Sequence, residues 1–262
     1  MRAVRANGLL LHVVECGDPA GPAVVFANSL GTDLRLWDSI VPRLPPGLRI
    51  IRFDLRGHGL SECPEGPYSM DDLGADAAGL IEALCCGPVV FGGLSIGGMI
   101  GQHLAARRPD LVRALVLSNT APRMGTPEMW AARMAAIRAG GIAALEGAIL
   151  DRWFGPAFRA RPEAQLWGAM LARTPPAGYL GCCAAIAGAD LTATTAALRL
   201  PVLVIGGSAD GASPPEAVCA MAAAIPGAAC HIIDGAGHLP CVEDPAAFAA
   251  ILIPFLKEHA HV

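Results

Sequence analysis

The stretch Val89-Val90-Phe91-Gly92-Gly93-Leu94-Ser95-Ile96-Gly97-Gly98 decides how this chain is read. A short apolar, β-branched run reads as a buried strand, and the apolar pattern after Gly98 reads as a helix. Between them, Gly93 to Gly97 spell G-x-S-x-G, a motif that carries meaning only in this strand–turn–helix setting. A turn that sharp crowds the backbone around its central residue, so side chains at the glycine positions would clash. It lifts Ser95 Oγ into a cleft, while the start of the helix directs its free N–H groups at the same space. A glycine-rich turn that merely packs strand against helix is the competing reading, and the partners of Ser95 must decide.

Outward from this turn, short apolar runs alternate with helical patterns. Val24-Val25-Phe26, Ile50 to Phe53, Leu115-Val116-Leu117, Val202 to Ile205 and His231-Ile232-Ile233 read as strands, mostly without strict alternation. Parallel strands covered on both faces have that signature. Leu9 to Val14 adds an edge strand or hairpin. Leu34, Trp37, Val41 and Leu44 share a helical face, and Met70 to Leu84 does so more clearly, with Ser69 and Asp72 spaced as a capping box. Ser213-Pro214-Pro215-Glu216 reads as a second such start, and Asp244-Pro245 opens a last helix burying Phe248, Leu252 and Phe255. The fold class is α/β, a mostly parallel central sheet with helices on both faces. Between Pro122 and Ala189 the alternation stops and the pattern is helical throughout. Residues 1–121 and 190–262 are therefore expected to form the core and 122–189 an all-helical lid inserted into it.

Composition excludes several classes of function. Across 262 residues, 23 acidic against 19 basic side chains leave no basic excess to neutralise phosphates, which argues against a nucleic-acid partner. The uncharged run Ala83 to Ala106 is long enough to cross a bilayer, but Pro88 and the pairs Gly92-Gly93 and Gly97-Gly98 break it. No export signal is evident at the N-terminus, so a cytoplasmic protein off the membrane is expected. The nine cysteines include no C-x-x-C and no zinc spacing, and read as small buried apolar residues in a reducing cytosol.

A serine hydroxyl needs a base within reach. Seven histidines are present. His12 and His231 sit in strand-like runs, His103 on the helix behind Ser95, and His259 and His261 in the tail. His58, in a turn, reads as structural. His238 alone combines a glycine-rich loop, Asp234-Gly235-Ala236-Gly237, with the carboxyl end of a strand, where sites form in open α/β sheets. The base needs an orienting carboxylate. Asp210, after the strand Val202 to Ile205, is the first choice and Asp234 the competitor. The segment Ser118-Asn119-Thr120 offers no acid.

The order Ser95, Asp210, His238 resembles that of α/β hydrolases. In that superfamily the loop after the third strand often reads His-Gly-x-x; counting back from Trp37 places Asn28 and Ser29 at those two positions. The resemblance then implies an oxyanion hole made by the backbone N–H groups of Leu30 and Ile96. Asn28-Ser29-Leu30-Gly31, Gly93 to Gly98, Asn119 to Gly125, Ala236 to Pro240 and the segments Glu128-Met129-Trp130 and Arg152-Trp153-Phe154 together resemble 3-oxoadipate enol-lactonases. That family opens an enol-lactone bearing an acetate arm to give 3-oxoadipate in aromatic catabolism. Some relatives are fused to a decarboxylase, for which this chain, ending at Val262, has no room. The resemblance implies a small anionic lactone as partner, and neither metal nor organic cofactor. Residues 122–189 carry seven arginines against four acidic residues, which suits a carboxylate. Trp130, Arg133 and Trp153 are the expected substrate contacts, with a solvated surface role the competing reading for Arg133. A carboxylesterase, a C–C bond hydrolase or a non-catalytic binding scaffold on the same fold are the rivals.

Overall fold

The computed structural model describes residues 1–84 and 86–260, so Cys85 and His261 lie outside the described residues. In chain order the elements are β1 (Arg2–Ala6), β2 (Leu9–Gly17), β3 (Ala23–Ala27), β4 (Arg49–Phe53), α1 (Met70–Ala83), β5 (Val89–Leu94), α2 (Ile96–Arg107) and β6 (Val112–Ser118). A helical segment follows, with α3 (Pro127–Gly140), α4 (Glu146–Trp153), α5 (Pro156–Arg159), α6 (Glu163–Ala172) and α7 (Pro176–Gly188). The chain then completes α8 (Thr192–Ala196), β7 (Val202–Gly207), α9 (Pro215–Ala224), β8 (Ala229–Ile233), α10 (Pro240–Glu243) and α11 (Pro245–His259).

The eight strands form one sheet in the order β1-β2-β4-β3-β5-β6-β7-β8. β1 and β2 pair antiparallel through a hairpin whose Asn7 and Gly8 both have positive φ, as a type I′ turn requires, and β2 pairs antiparallel with β4. All other neighbours are parallel. Every residue of β3, β5 and β7 is buried. Since successive side chains point to opposite faces, both faces of the central sheet are covered. The edge strand β8 departs from the expectation: its first four residues are exposed and only Ile233 is buried.

Three further expectations are corrected. Leu34 to Leu44 is not one helix but two short 3-10 turns, Leu34–Trp37 and Val41–Arg43. Pro42 sits in the second turn, and Leu44, ahead of Pro45, is extended, as a residue before proline prefers. Ser213 does not cap α9, whose cap position is Pro214; its hydroxyl donates instead to Asn119 O at 2.8 Å. The cysteines are not uniformly buried: Cys182, Cys183 and Cys241 are, whereas Cys63, Cys219 and Cys230 are exposed. At α1, by contrast, Ser69 and Asp72 form the reciprocal capping box. The helical segment leaves and rejoins the sheet at one point, where Leu191 N–H donates to Pro122 O at 2.9 Å.

Candidate active site

Ser95 stands between β5 and α2 with φ 59° and ψ −118°, a left-handed conformation that costs a non-glycine residue roughly 1–3 kcal/mol. Its surroundings hold it there. Ser95 N–H donates to Ser118 O at 2.9 Å, and Thr120 Oγ1 donates to Ser95 O at 2.8 Å. The turn closes only because its flanks lack side chains: a Cβ on Gly93 would lie 2.1 Å from Gly97 O, and one on Gly97 would lie 2.5 Å from Ala27 O.

His238 is 2 % exposed and is anchored on two sides. Its Nδ1–H donates to Asp210 Oδ2 at 2.9 Å, and its main-chain N–H donates to Trp153 O at 2.7 Å. Asp210 is saturated. Oδ1 accepts from Ala212 N–H (2.7 Å) and Ser213 N–H (2.9 Å), and Oδ2 also accepts from Asn119 Nδ2 at 2.8 Å. Burial pushes the Asp210 carboxyl up, but the His238 charge and the hydrogen bonds from His238, Asn119 and Ser213 outweigh it, so its pKa lies below the ordinary value. Stability linked to this group is therefore present above the ordinary carboxylate pKa of 3.8 and lost as the pH falls through the depressed one. The melting-temperature gap between wild type and Asp210→Asn should be widest near neutrality and narrow below about pH 4; a gap that does not vary with pH would contradict this. Asp234, the competitor, is exposed and accepts from Ser208 Oγ at 3.0 Å.

Ser95 and His238 line one cavity of about 230 Å³, together with Ser29, Leu30, Trp130, Arg133, Arg152, Trp153 and Tyr179. That volume is below the roughly 300–1,000 Å³ of pockets for drug-sized ligands, so the occupant is small. Ile96 is the first residue of α2, and its N–H has no intrahelical acceptor. The opposite loop is fixed from behind. Asn28 Nδ2 donates to Phe53 O at 2.7 Å, and Trp37 Nε1 donates to Asn28 Oδ1 at 3.0 Å. Buried His58 donates from Nδ1 to Arg56 O at 3.1 Å and accepts Gly31 N–H on Nε2 at 3.0 Å, which fixes the neutral tautomer; burial pushes its pKa down, in the same sense. The other histidines stand elsewhere: His12 contacts Asp54 at 2.8 Å, His103 contacts Asp71 at 3.1 Å, and His231 is exposed on β8. A larger cavity of about 440 Å³, lined by His12, Asp54 and Arg173, holds no serine beside a histidine.

Arg133 lies 5.3 Å from the Trp130 ring centroid, the partly buried geometry of a cation over an aromatic face. Arg152 faces the same cavity, and its Nε donates to Gly211 O at 3.0 Å. Burial first, then the like charge of Arg133, lowers the Arg152 pKa. Among the described residues neither arginine pairs with a carboxylate. Asn119 and Arg152 were not singled out from sequence as site residues. Asn119, at positive φ just after β6, lies in the segment Ser118-Asn119-Thr120 that offers no acid. Among the described residues no cluster of three or more His, Cys, Asp or Glu could hold a metal ion, and no helix is long and apolar enough to cross a membrane. One cavity thus holds the histidine of a buried Asp–His pair able to take up a proton, a strained serine and two arginines able to receive an anion.

Comparison with known proteins agrees with this architecture. Residues 22–245 match the family model described as alpha/beta hydrolase fold, and the chain belongs to that family, as a hydrolase. Within it, the chain is 33% identical to 3-oxoadipate enol-lactonase 2 of Acinetobacter baylyi over 93% of its own length and 91% of the relative's. It is 34% identical to 3-oxoadipate enol-lactonase 1 of the same organism, over 96% and 94%. The crystal structure of the enol-lactonase from Burkholderia xenovorans LB400 superposes with a TM-score of 0.94 at 37% identity, covering 98% of this chain and 100% of that one. A thermophilic esterase from Thermogutta terrifontis gives a TM-score of 0.92 at 29% identity, covering 100% and 99%. Relatives that the chain resembles over nearly its whole length thus include 3-oxoadipate enol-lactonases.

Proposed function

We propose that the protein hydrolyses 3-oxoadipate enol-lactone to 3-oxoadipate, with Ser95 as nucleophile, His238 as base and Asp210 as its orienting acid. The observation that carries this reading is the pairing, in one small cavity, of Ser95 and His238 with two arginines that, among the described residues, lack a carboxylate partner. Ser95 Oγ attacks the lactone carbonyl as His238 takes its proton, and the oxyanion lies between the N–H groups of Leu30 and Ile96, each contributing up to about 3 kcal/mol. His238 then protonates the departing enol, which tautomerises to the ketone, and a water activated by His238 frees the acid. No cofactor enters these steps. Residues 122–189 serve as a lid that brings Trp130, Arg133 and Trp153 to the substrate, with Arg133 and Arg152 holding the acetate arm through charge-assisted hydrogen bonds.

Charge recognition makes this reading testable. The lactone with a free acetate arm should be turned over with a kcat/KM at least about tenfold above that of its methyl ester; equal values would remove the anion from the account. Arg133→Ala should lower kcat/KM for the anionic lactone by roughly ten- to a hundredfold and hardly change hydrolysis of neutral p-nitrophenyl acetate. Equal losses on both substrates would assign Arg133 to packing. Arg152→Ala should impair both, since its Nε also braces Gly211 beside Asp210. Similarity to the Thermogutta esterase favours one second reading, an esterase for open-chain esters of small acids, and a preference for such an ester over the lactone would select it.

A further inference from the structure

We propose that Glu243 is a positioning residue that clamps the lid to the loop carrying the catalytic histidine. This inference rests on the reading of Ser95 and His238 as a hydrolytic pair. Glu243 ends α10, five residues past His238, and its two carboxylate oxygens are spent on two different segments. Oε1 accepts Gly237 N–H at 2.7 Å, and Oε2 accepts Gly155 N–H at 2.8 Å. Gly237 is the residue before the base; Gly155 follows Trp153 and Phe154 in the helical segment. Between the same two strands of chain, His238 N–H donates to Trp153 O at 2.7 Å. The backbones run so close that a Cβ on Gly155 would lie 2.3 Å from Gly235 O, and one on Gly237 would lie 2.5 Å from Trp153 O. Two glycines allow the approach, and one carboxylate bridges it.

The placement has an electrostatic cost that is not spent on surface solvation. Burial pushes the Glu243 carboxyl up, and the N–H groups of Gly155, Gly237 and Leu239 offset that in part. No cation pairs with Glu243 among the described residues, so its partners are backbone dipoles alone. A carboxylate with one acceptor for each of two converging N–H groups orients them in a way no neutral side chain of that length matches. An amide in its place presents a donor to one of the N–H groups. An aspartate keeps the charge but is one methylene too short to span both. Loosening the clamp lets His238 and the Trp153 wall of the cavity drift together, and misplacement by about 1 Å can cost on the order of a hundredfold in rate.

The test compares wild type, Glu243→Gln and Glu243→Asp by the rate at which a fluorophosphonate labels Ser95 and by kcat on p-nitrophenyl acetate, both per titrated site. The labelling plateau counts correctly folded molecules, so partial unfolding lowers the plateau and leaves the rate per site untouched. Both variants should label, and turn over, roughly ten- to a hundredfold more slowly per site, with KM for the neutral ester within about twofold of wild type. Wild-type rates per site in Glu243→Gln would overturn the inference and leave a residue that only stabilises. Full rescue by Glu243→Asp would also overturn it, because charge without span would then suffice. A wild type that fails to label at all would overturn the hydrolase reading itself, an outcome distinct from equal labelling in wild type and variant.

Discussion

Ser95→Ala should abolish turnover while leaving the fold intact. Loss of the nucleophile from a serine triad costs roughly four orders of magnitude or more in kcat, because the acyl-enzyme can then no longer form at the residue the histidine activates. The fold should not suffer: Ser95 is held by its main chain, through Ser118 O and Thr120 Oγ1, and those bonds survive truncation of the hydroxyl. Alanine adopts the same φ 59° that serine already holds, so the melting temperature should change little. Purified variant retaining more than a few per cent of wild-type kcat would show that another group attacks the substrate.

Asp210→Asn should be nearly as severe, by roughly 10⁴-fold in kcat. The asparagine amide would donate to Nδ1 where the carboxylate accepts, so His238 would carry its proton on Nε2, facing Ser95, and could not act as base. The substitution also leaves Ala212 and Ser213 N–H and Asn119 Nδ2 competing for one acceptor oxygen where there were two. Asp234→Asn should change kcat by less than about twofold, since Asp234 is exposed and accepts from Ser208 Oγ at the surface. The reverse ranking of the two variants would move the orienting acid to the end of β8.

Much of this site is legible in the chain because the chemistry of a strand-end site leaves local marks. Ser95 is recognised from the glycines its turn needs, and His238 from the glycine-rich loop after the last strand. The contacts that brace them carry no such marks. Asn119 reads as an ordinary polar residue until β6 and β7 bring it beside Asp210, 91 residues away in sequence. Arg152 and Glu243 act across joints between segments distant in sequence, and periodicity holds no information about such joints. In the fold, the parallel core is plain from its unbroken apolar runs. Leu9 to Val14 reads as an edge strand or hairpin, and Asn7-Gly8, a strong hairpin signal, marks the turn that joins it to β1. In the segment Leu34 to Leu44, four apolar residues at helical spacing suggest one helix, but Pro42 and Pro45, with missing N–H groups and steric demands, leave only two short turns. The exposed β8 likewise follows from its place at the sheet edge, which no local pattern specifies.

The decisive measurement is kcat/KM of the purified protein for 3-oxoadipate enol-lactone against p-nitrophenyl acetate, with 3-oxoadipate identified as product. A small cavity that holds Ser95 and two arginines predicts a preference for the lactone of at least about a hundredfold. A protein that hydrolyses the neutral ester as well as or better than the lactone, or that leaves the lactone untouched, would contradict it.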